Sequence, residues 1–477
     1  MPPSPSDLAA LQSRLAGRVL LPSAPSFEWF RRPPIARFHD IRPQAVARCV
    51  THADVAEVIS FVRQQGMNMA TRSGGHCFAG RSSTRGILID VSQMTSRCVV
   101  DGMARVGPGV RLDQLYDTLE PHGLTIAAGC GPTVGVAGLT LGGGFGILGR
   151  KHGLTCDQLV RAQLVLADGR MVECDQEHEA ELFWARRGAG GCQFGIVTQL
   201  AFRTVPTPPT TTLHLIWPHG NAAAIIEAWQ QWAPNAPDEL SASLLVTASR
   251  DASEPPAVHV VGALLGPRYR AAVLLGELVE RAGVQPESTR CRELPFRAAK
   301  RDLVEDDPAP EMSPRDHRFC KSEFFRQPLP RGAIDALLEH VCNRRTPGQV
   351  RALEFTPWGG AYNRIRADAT AFAHRAERFL LKQEVVVAGD APGEHWAAQD
   401  WVARAWALVH ACGSGGVYPN FPNPDLEDWA SAYHSTNYDR LLRVKATYDP
   451  CNLFRFDQSL PVRPTASHEP RRLERKS

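Results

Sequence analysis

The sequence predicts an α+β fold with more than one domain, and three features of the chain indicate it. Short alternating or apolar runs separated by glycine-rich turns fill residues 46–205, where helical periodicity is confined to a few segments. The proline-rich segment Val205 to Pro209 (VPTPP) marks a change of character, and the helical pattern Trp396 to Ala411 ends at the glycine turn Gly413 to Gly416. A chain of 477 residues is also too long for one ordinary core.

The first part of the chain contains a helix, a buried strand and a hairpin. Ala53 to Gln64 (ADVAEVISFVRQ) has apolar residues at helical spacing behind Thr51, a helix-capping residue type. Gly86 to Val91 (GILIDV) is typical of a buried strand. Gln163 to Cys174 places the turn pair Asp168-Gly169 between two β-like runs, which predicts two antiparallel strands.

The second part begins after the proline-rich segment. Alternating runs such as Ser241 to Thr247 and Val258 to Leu265 predict strands there, mixed with long helices. We place a first domain at residues 1–205, an inserted α+β domain at 206–412, a return to the first domain at 413–462, and a charged tail at 463–477.

Composition narrows the functional classes. The chain is 43% hydrophobic and 22% charged, with no apolar run long enough to span a bilayer, so we expect no membrane insertion. A net charge of +3 and the lack of a basic stripe argue against nucleic acid and favour a small-molecule partner. Without a secretory signal we expect a cytoplasmic protein, whose oligomeric state the sequence leaves unknown. Twelve cysteines without CxxC pairs argue against a zinc site.

A glycine loop with a histidine follows the predicted helix. Thr71 to Gly80 reads TRSGGHCFAG, and its adjacent glycines let the backbone approach a ligand and direct N–H groups at an anion such as pyrophosphate. Arg72 and Ser73 could supplement those donors. His76 would then be held beside the bound ligand.

A cysteine stands within a second glycine segment. Ala127 to Gly149 reads AAGCGPTVGVAGLTLGGGFGILG and contains nine glycines, which is costly in backbone entropy unless a ligand or the rest of the protein packs closely against it. A flat, extended ligand would meet that need. Cys130 lies between two glycines, so its thiol should be accessible.

The same segment contains a motif typical of nicotinamide-binding proteins. Gly144 to Gly149 (GFGILG) is a literal G-x-G-x-x-G, and Asp168 follows at about the spacing of a Rossmann fingerprint. However, no apolar strand leads into the motif, Gly153 interrupts the helix that should follow, and Asp168 fits the hairpin turn better. These three observations make a nicotinamide-dependent reductase the less favoured hypothesis.

With TRSGGHCFAG and GCGPTVGVAGLTLGGGFGILGRKHGLTCDQL in this order, about fifty residues apart, the chain resembles the berberine-bridge-enzyme-like FAD-linked oxidases. Gly188 to Thr198 (GAGGCQFGIVT) is similar to a further FAD-contacting segment of the family, and Gly415 to Pro461 to its C-terminal signature. The substrate half of the chain resembles the family less closely, chiefly through Pro357 to Arg375. Cys192 and Gln193 depart from the glycine and asparagine usual in the family.

The resemblance implies a two-part FAD-binding domain of the PCMH type with an inserted substrate domain, an antiparallel sheet covered by helices. It implies bicovalent FAD, with His76 bonded to the flavin 8α carbon and Cys130 to C6. Further cofactor-binding residues are expected on the same basis in four matched segments: Arg72, Ser73, Gly74 and Gly75; Gly135, Gly138, Gly142, Gly143 and Gly146; Gly195, Ile196 and Val197; and Asn420, Asn452 and Gln458.

The resemblance also indicates a catalytic base. Tyr418 lies in GGVYPNF, a segment predicted to be a strand that returns to the flavin, and the family often has its tyrosine base there; such a base needs a lowered pKa. Asn420 would face the same side of that strand. Trp358 and Tyr362 are candidate substrate contacts, with His374 and Arg375 near them.

The predicted function is an oxygen-dependent oxidase that removes hydride from a CH–OH carbon of a sugar or secondary metabolite and forms hydrogen peroxide. Oxidative cyclisation of a natural-product intermediate is an alternative, which product structure would distinguish. A flavin-carrying protein that binds a metabolite without turnover is an alternative of another class, and steady peroxide production would argue against it.

Overall fold

The structure is a computed structural model that describes residues 4–305, 308 and 316–462. The predicted tail at 463–477 lies outside the described residues. The fold is α+β, as predicted, with the secondary-structure elements numbered in chain order.

The strands are β1 (Arg18–Leu20), β2 (Ala45–Arg48), β3 (Met69–Arg72), β4 (Ile87–Asp90), β5 (Arg97–Val100), β6 (Met103–Val106), β7 (Leu124–Thr125), β8 (Leu159–Val165), β9 (Met171–Cys174), β10 (Ile196–Arg203), β11 (Val205–Pro206), β12 (Thr210–Pro218), β13 (Leu240–Ala248), β14 (Ala257–Leu264), β15 (Ser288–Leu294), β16 (Asp316–Phe325), β17 (Gln349–Pro357) and β18 (Phe379–Ala388).

The α-helices are α1 (Pro5–Gln12), α2 (Phe27–Arg31), α3 (His52–Gln65), α4 (Leu112–Leu119), α5 (Val136–Leu141), α6 (Gly149–His152), α7 (Ala180–Arg186), α8 (Ala222–Trp232), α9 (Arg268–Ala282), α10 (Phe296–Glu305), α11 (Arg331–Cys342), α12 (Ala361–Arg364), α13 (Pro392–His410), α14 (Trp429–His434) and α15 (Tyr438–Tyr448).

A four-stranded sheet in the order β1-β2-β4-β3 opens the fold, with β2 and β3 both parallel to β4. Helix α3 connects β2 to β3. It begins behind a capping box formed by Thr51 and Asp54 and ends at Gly66, whose φ of 61° is left-handed. The predicted helix and the predicted strand at 86–91 are both confirmed. The end of β3 positions the loop that carries His76.

A five-stranded antiparallel sheet follows, in the order β5-β6-β10-β8-β9. The predicted hairpin is confirmed, because β8 pairs with β9 and Asp168 Oδ1 accepts a hydrogen bond from Arg170 N at 3.0 Å in the turn between them. Asp168 is therefore occupied in the turn, and β8 and β9 are antiparallel. This arrangement lacks the parallel βαβ unit that a Rossmann site requires.

The third large sheet is antiparallel, in the order β15-β12-β14-β13-β17-β18-β16. The predicted strands at 241–247 and 258–265 are β13 and β14, and the predicted helix at 396–411 is α13. Helices α8, α9, α11 and α13 cover one face, where Trp217 and Trp229 are fully buried in the main core. The opposite face is turned toward the glycine segments of the first part of the chain.

The segment around Tyr418 differs from the prediction. It is not a strand: residues 416–418 belong to no sheet, and a turn follows at Pro419 and Asn420. Pro419 and Pro422 have no N–H group to donate to a ladder, which explains the failure of the strand prediction. The segment is held by isolated hydrogen bonds, among them Val417 N to Ala432 O at 2.9 Å.

In the described ranges, no helix combines the length and apolarity needed to cross a bilayer. The domain boundaries at 205/206 and 412/413 stay a prediction.

Candidate active site

A deep cavity of about 480 Å³ lies between the glycine segments and the edge of the seven-stranded sheet. Its wall is formed by residues within 71–82, 129–145, 190–197 and 418–422, together with Arg318 and Lys382 from the sheet. The four segments that the sequence marked as ligand-binding therefore meet at one cavity. A neighbouring cavity of about 530 Å³ shares Thr71, Arg81 and Cys192 with it.

The loop after β3 lies against the glycine segment. Ser73, Gly74, Gly75 and His76 all line the cavity. A Cβ atom added to Gly74 would lie 2.4 Å from the backbone nitrogen of Gly135, so the two backbones are in direct contact. Only glycine allows this approach, and it brings two loops that are distant in sequence to the same wall.

Arg72 corrects one prediction, because it does not line the cavity. Its buried guanidinium donates hydrogen bonds to Ser82 O at 2.9 Å, Phe30 O at 2.9 Å and Arg31 O at 2.7 Å. Burial lowers the pKa of Arg72 to about 10. The side chain is committed to backbone carbonyls beneath the loop, so it supports the loop from behind and is not a donor to pyrophosphate.

His76 points to the glycine segment. Its Nε2 lies 3.1 Å from the hydroxyl oxygen of Thr133. Burial and the positive charge of Arg111 lower the pKa of His76 to about 4. The imidazole is therefore neutral at physiological pH, with a lone pair on one ring nitrogen, which is the form that can act as a nucleophile.

Cys130 lies at the edge of the cavity wall. Its neighbours Gly129 and Gly131 line the cavity, while the half-buried Cys130 packs against the apolar cluster that includes Ala127 and Leu148. The residues directly before and after Cys130 thus belong to the cavity wall. The structure brings the cysteine loop and the histidine loop to one site, as predicted from the two motifs.

The remaining predicted glycines divide into two groups. Gly135 and Gly138 line the cavity, but Gly142, Gly143 and Gly146 do not. A Cβ at Gly142 would lie 2.2 Å from Asn420 Oδ1, and one at Gly146 would lie 2.1 Å from Ala128 O. Gly142 and Gly146 thus allow close packing behind the wall, and the assignment of these glycines as cofactor contacts stays a prediction.

The third glycine segment completes the wall with Gly195, Ile196 and Val197. Cys192, with a positive φ of 58°, borders both cavities. Gln193 is buried; its carbonyl accepts a hydrogen bond from Lys445 Nζ at 2.8 Å and its side chain accepts one from Leu460 N at 3.1 Å. Gln193, which replaces the asparagine usual in the family, therefore joins this segment to the C-terminal region.

Tyr418 and Asn420 reach the cavity together. The Tyr418 hydroxyl oxygen accepts hydrogen bonds from Gly144 N at 2.9 Å and Asn420 Nδ2 at 3.2 Å. No protein acceptor for the hydroxyl proton occurs in the part of the chain that the structure describes. Burial raises the pKa of Tyr418, although the two hydrogen bonds act in the opposite direction. Burial therefore acts against the lowered pKa that a tyrosine base needs.

Trp358 and Tyr362 were candidate substrate contacts, and neither lines the cavity. Trp358 is 0% exposed and Tyr362 is 2% exposed, in an aromatic cluster behind Tyr418. Their rings stack at a centroid distance of 4.4 Å. Nearby, Arg375 forms a buried ion pair with Asp157 at 2.7 Å. This placement corrects the prediction: the two aromatic residues support Tyr418 from behind.

The C-terminal candidates also differ from one another. Gln458 lines the neighbouring cavity, where its side-chain oxygen accepts a hydrogen bond from Arg81 at 3.0 Å. Asn452, with a φ of 50°, lies in the turn after α15 and lines neither cavity. The placement supports Gln458 as a ligand contact and gives Asn452 a role in the turn.

Two charged residues of the cavity wall, Lys382 and Arg318, were not identified from the sequence. Lys382 on β18 lies 2.7 Å from Glu354, and Arg318 on β16 lies 2.6 Å from Glu384. Burial opposes charge on Lys382, but the carboxylates of Glu354 and Glu384 outweigh it and raise the pKa of Lys382. The alternation of Lys382 and Glu384 within the apolar run FLLKQEVVV was the available signal, since residues two apart share one face of a strand.

The donor set fits a dinucleotide with a flat ring system. Glycine backbones line one side of the cavity, a neutral imidazole and a thiol loop lie on its rim, and aromatic and polar groups close the opposite end. Within the described residues, no group of three or more His, Cys, Asp or Glu side chains could hold a metal ion.

Comparisons with known proteins agree with this arrangement. Residues 43–175 match the family model described as "FAD binding domain", and residues 417–461 match the model described as "Berberine and berberine like". The FAD-linked oxidoreductase YgaK of Bacillus subtilis is 31% identical over 463 residues, which cover 94% of this chain and 98% of that protein.

Two further similarities extend over nearly the whole chain. Chitooligosaccharide oxidase of Gibberella zeae is 27% identical, with 88% of this chain and 87% of that protein covered. The structure of BBE-like 1 from Physcomitrella patens matches with a TM-score of 0.86 at 25% identity and covers 96% of this chain and 99% of that chain.

Proposed function

Because the chain belongs to the berberine-bridge-enzyme-like family of FAD-linked oxidoreductases, we propose that it carries FAD bound covalently through both His76 and Cys130. With that cofactor it removes hydride from a CH–OH carbon of a small hydroxylated substrate, a sugar or a secondary metabolite. Molecular oxygen takes the electrons and leaves as hydrogen peroxide. Residues 1–205 and 413–462 hold the cofactor, and residues 206–412 supply the substrate side.

The observation that carries the proposal is the contact between the two attachment loops. Thr133 Oγ1 lies 3.1 Å from His76 Nε2, and Thr133 is three residues after Cys130. The imidazole is neutral and lines the cavity, and the residues on both sides of Cys130, Gly129 and Gly131, line the same cavity, which supports attachment of one ring system at both positions. Ser73, Gly74 and Gly75 offer backbone groups to the phosphates.

Bound FAD supplies the hydride acceptor, and the chain positions the substrate and moves its proton. Tyr418 takes the hydroxyl proton of the substrate, because its oxygen already accepts two hydrogen bonds, from Gly144 N and Asn420 Nδ2, that stabilise the phenolate. The Tyr418 side chain is 1% exposed and packs within an aromatic cluster. Only the phenolate form of Tyr418 can accept the substrate proton. Because burial raises the pKa of Tyr418, this form becomes more populated as the pH increases through the alkaline range.

The polar end of the cavity supports a hydroxylated and uncharged substrate. Lys382 and Arg318 are matched by Glu354 and Glu384, so the four charges balance. Lys382 and Arg318 line the cavity and offer hydrogen-bond donors, while the carboxylates behind them neutralise their charge, so the wall does not select an anionic substrate. This arrangement favours oxidation of an alcohol.

A direct test uses anaerobic mixing of the purified protein with panels of oligosaccharides and hydroxylated aromatic metabolites. We expect bleaching of the flavin absorbance by one panel and, after oxygen is admitted, one peroxide for each substrate oxidised. Binding without bleaching by any member would contradict the proposed oxidase activity and favour a binding protein.

A further inference from the structure

Lys300 is a fully buried lysine directly beneath the loop that carries Cys130. Its side chain extends from α10 and is 1% exposed. Its ammonium group donates hydrogen bonds to Ala128 O at 2.7 Å, Gly129 O at 3.1 Å and Tyr116 Oη at 2.8 Å. Two of the three acceptors are thus the carbonyls of the two residues that precede Cys130.

Helix α10 holds this lysine firmly against the glycine segment. Phe296, at the start of α10, packs with Ala127 and Leu148 in the same apolar cluster as Cys130. Tyr116 also donates a hydrogen bond to Gly129 O at 2.6 Å, so the same carbonyl is held from two directions. The geometry of the cysteine loop therefore depends on a residue outside the predicted FAD-binding segments.

The charges around Cys130 come from α10 and α4. Arg297 is paired with Asp113 and with Asp117, the latter at 2.8 Å. Lys300, in contrast, has only neutral oxygen atoms as hydrogen-bond partners among the described residues. Its positive charge is therefore not cancelled by a directly bonded carboxylate, and it can act on a neighbouring anion in a low-dielectric surrounding.

We propose that Lys300 is a positioning residue for flavin attachment: it fixes the backbone before Cys130 and favours the thiolate form of that cysteine. The inference rests on the proposed attachment through Cys130. A positive charge beside a thiol stabilises the thiolate, which is the nucleophilic form. Burial lowers the pKa of Lys300 to about 8, although the nearby Cys130 acts in the opposite direction, and the amine is therefore mostly protonated at neutral pH.

The attachment step balances with molecular oxygen as the oxidant. The sulfur of Cys130 forms a bond to carbon 6 of the flavin ring, and the thiol proton and the hydrogen of that carbon are lost. Two electrons pass to the ring, and oxygen removes them together with two protons as hydrogen peroxide. Lys300 contributes by placing the sulfur and supplying the positive charge, and it is unchanged at the end.

The test compares wild type with Lys300→Met and Lys300→Gln by peptide mass spectrometry. Methionine has a similar volume, and replacing a buried charge by an apolar group is often tolerated. In both variants we expect flavin on the His76 peptide and about tenfold slower appearance of the bond on the Cys130 peptide at pH 7. Raising the pH during reconstitution should restore that bond, because it supplies thiolate without the lysine.

Tyr116→Phe is the matched control for loop positioning, since it removes a hydrogen bond to Gly129 O and one acceptor of Lys300 but keeps the ammonium. We expect it to attach flavin at Cys130 more slowly than wild type but clearly faster than Lys300→Met, because the positive charge remains. Equal loss in Tyr116→Phe and Lys300→Met, without recovery at high pH, would overturn the electrostatic role. Normal attachment in both Lys300 variants would overturn the inference as a whole.

A second readout separates this inference from the proposed function. Iodoacetamide labelling of Cys130, measured across pH in full-length chain prepared without flavin, should have its midpoint at higher pH in Lys300→Met than in wild type. If wild type never bonds flavin at Cys130, the proposed double attachment fails, but the labelling shift still supports the effect of Lys300. An unchanged midpoint contradicts that effect.

Discussion

Thr133 Oγ1 and His76 Nε2 lie 3.1 Å apart, and this contact joins the two loops that carry the proposed attachment residues. The hydroxyl orients a ring that is already neutral because burial and Arg111 lower its pKa to about 4. Attachment at His76 should therefore depend on a residue of the cysteine loop.

Thr133→Val tests this dependence, because valine keeps the shape and removes the hydroxyl. Loss of a hydrogen bond worth about 1 kcal/mol should slow attachment at His76 by about fivefold. The rate is measured as covalent flavin retained after acid precipitation at timed intervals of reconstitution. Thr140→Val, which removes a hydroxyl bonded to Val136 O within α5, is the control and should attach flavin at the normal rate. Equal rates in all three proteins would contradict an orienting role.

Tyr418→Phe should keep the flavin and slow its reduction by substrate by about 10²- to 10⁴-fold, the usual contribution of general base catalysis. Stopped-flow bleaching under anaerobic conditions measures this step. Phenylalanine leaves Gly144 N and Asn420 Nδ2 without their shared acceptor, so circular dichroism should accompany the measurement. A bleaching rate within a factor of two of wild type would remove Tyr418 from the mechanism.

The rate of flavin reduction should increase with pH. A base must lose its proton to act, and burial raises the pKa of Tyr418, so at neutral pH only a small fraction is phenolate. The rate at subsaturating substrate should rise by up to tenfold per pH unit through the alkaline range, until another group becomes limiting. In Tyr418→Phe the rise should disappear. A rate that falls with increasing pH would contradict the assignment.

Gly135→Ala should destabilise the protein, whereas Gly138→Ala should not. A Cβ at Gly135 would lie 2.4 Å from Ser73 Oγ and 2.6 Å from Gly74 N, while one at Gly138 meets no atom within 4 Å. Overpacking of this kind costs about 1–3 kcal/mol, and alanine within helix α5 is favourable by up to about 1 kcal/mol. Urea unfolding of both variants measures the difference. Equal free energies of unfolding would argue against contact between the two loops.

Stability should fall as the pH decreases below about 6.5. Burial lowers the pKa of His76, His259 and His374 to about 4 and that of His434 to about 3. The unfolded chain therefore binds more protons in this range, and the native state loses stability progressively down to about pH 4. Urea midpoints at pH 7.5, 6 and 5 test the trend. A constant midpoint across these values would contradict the burial of neutral imidazoles.

The features predicted best from sequence have local causes. The box of Thr51 and Asp54 caps α3, and Asp168-Gly169 forms the hairpin turn, so each is determined by neighbouring residues. The convergence of the His76 and Cys130 loops was predictable from the resemblance that the two glycine segments carry.

The features that were missed depend on contacts between distant segments. Arg318 and Lys382 reach the cavity only because β16 pairs with β18 in one register. The pKa of Tyr418 is raised because aromatic residues from several elements bury it, among them Phe145, Phe324 and Trp358. Arg72 turns away from the cavity because carbonyls of residues 30, 31 and 82 surround its guanidinium. None of these contacts has a signature in the local sequence.

The central claim is that one flavin is bonded to both His76 and Cys130. The most direct test is the mass of acid-denatured protein and of its peptides, for wild type, His76→Ala, Cys130→Ala and the double variant. We expect one FAD on wild type and on each single variant, located on the remaining attachment residue, and none on the double variant. Denatured wild type without added mass, with all FAD left in solution, would contradict the claim.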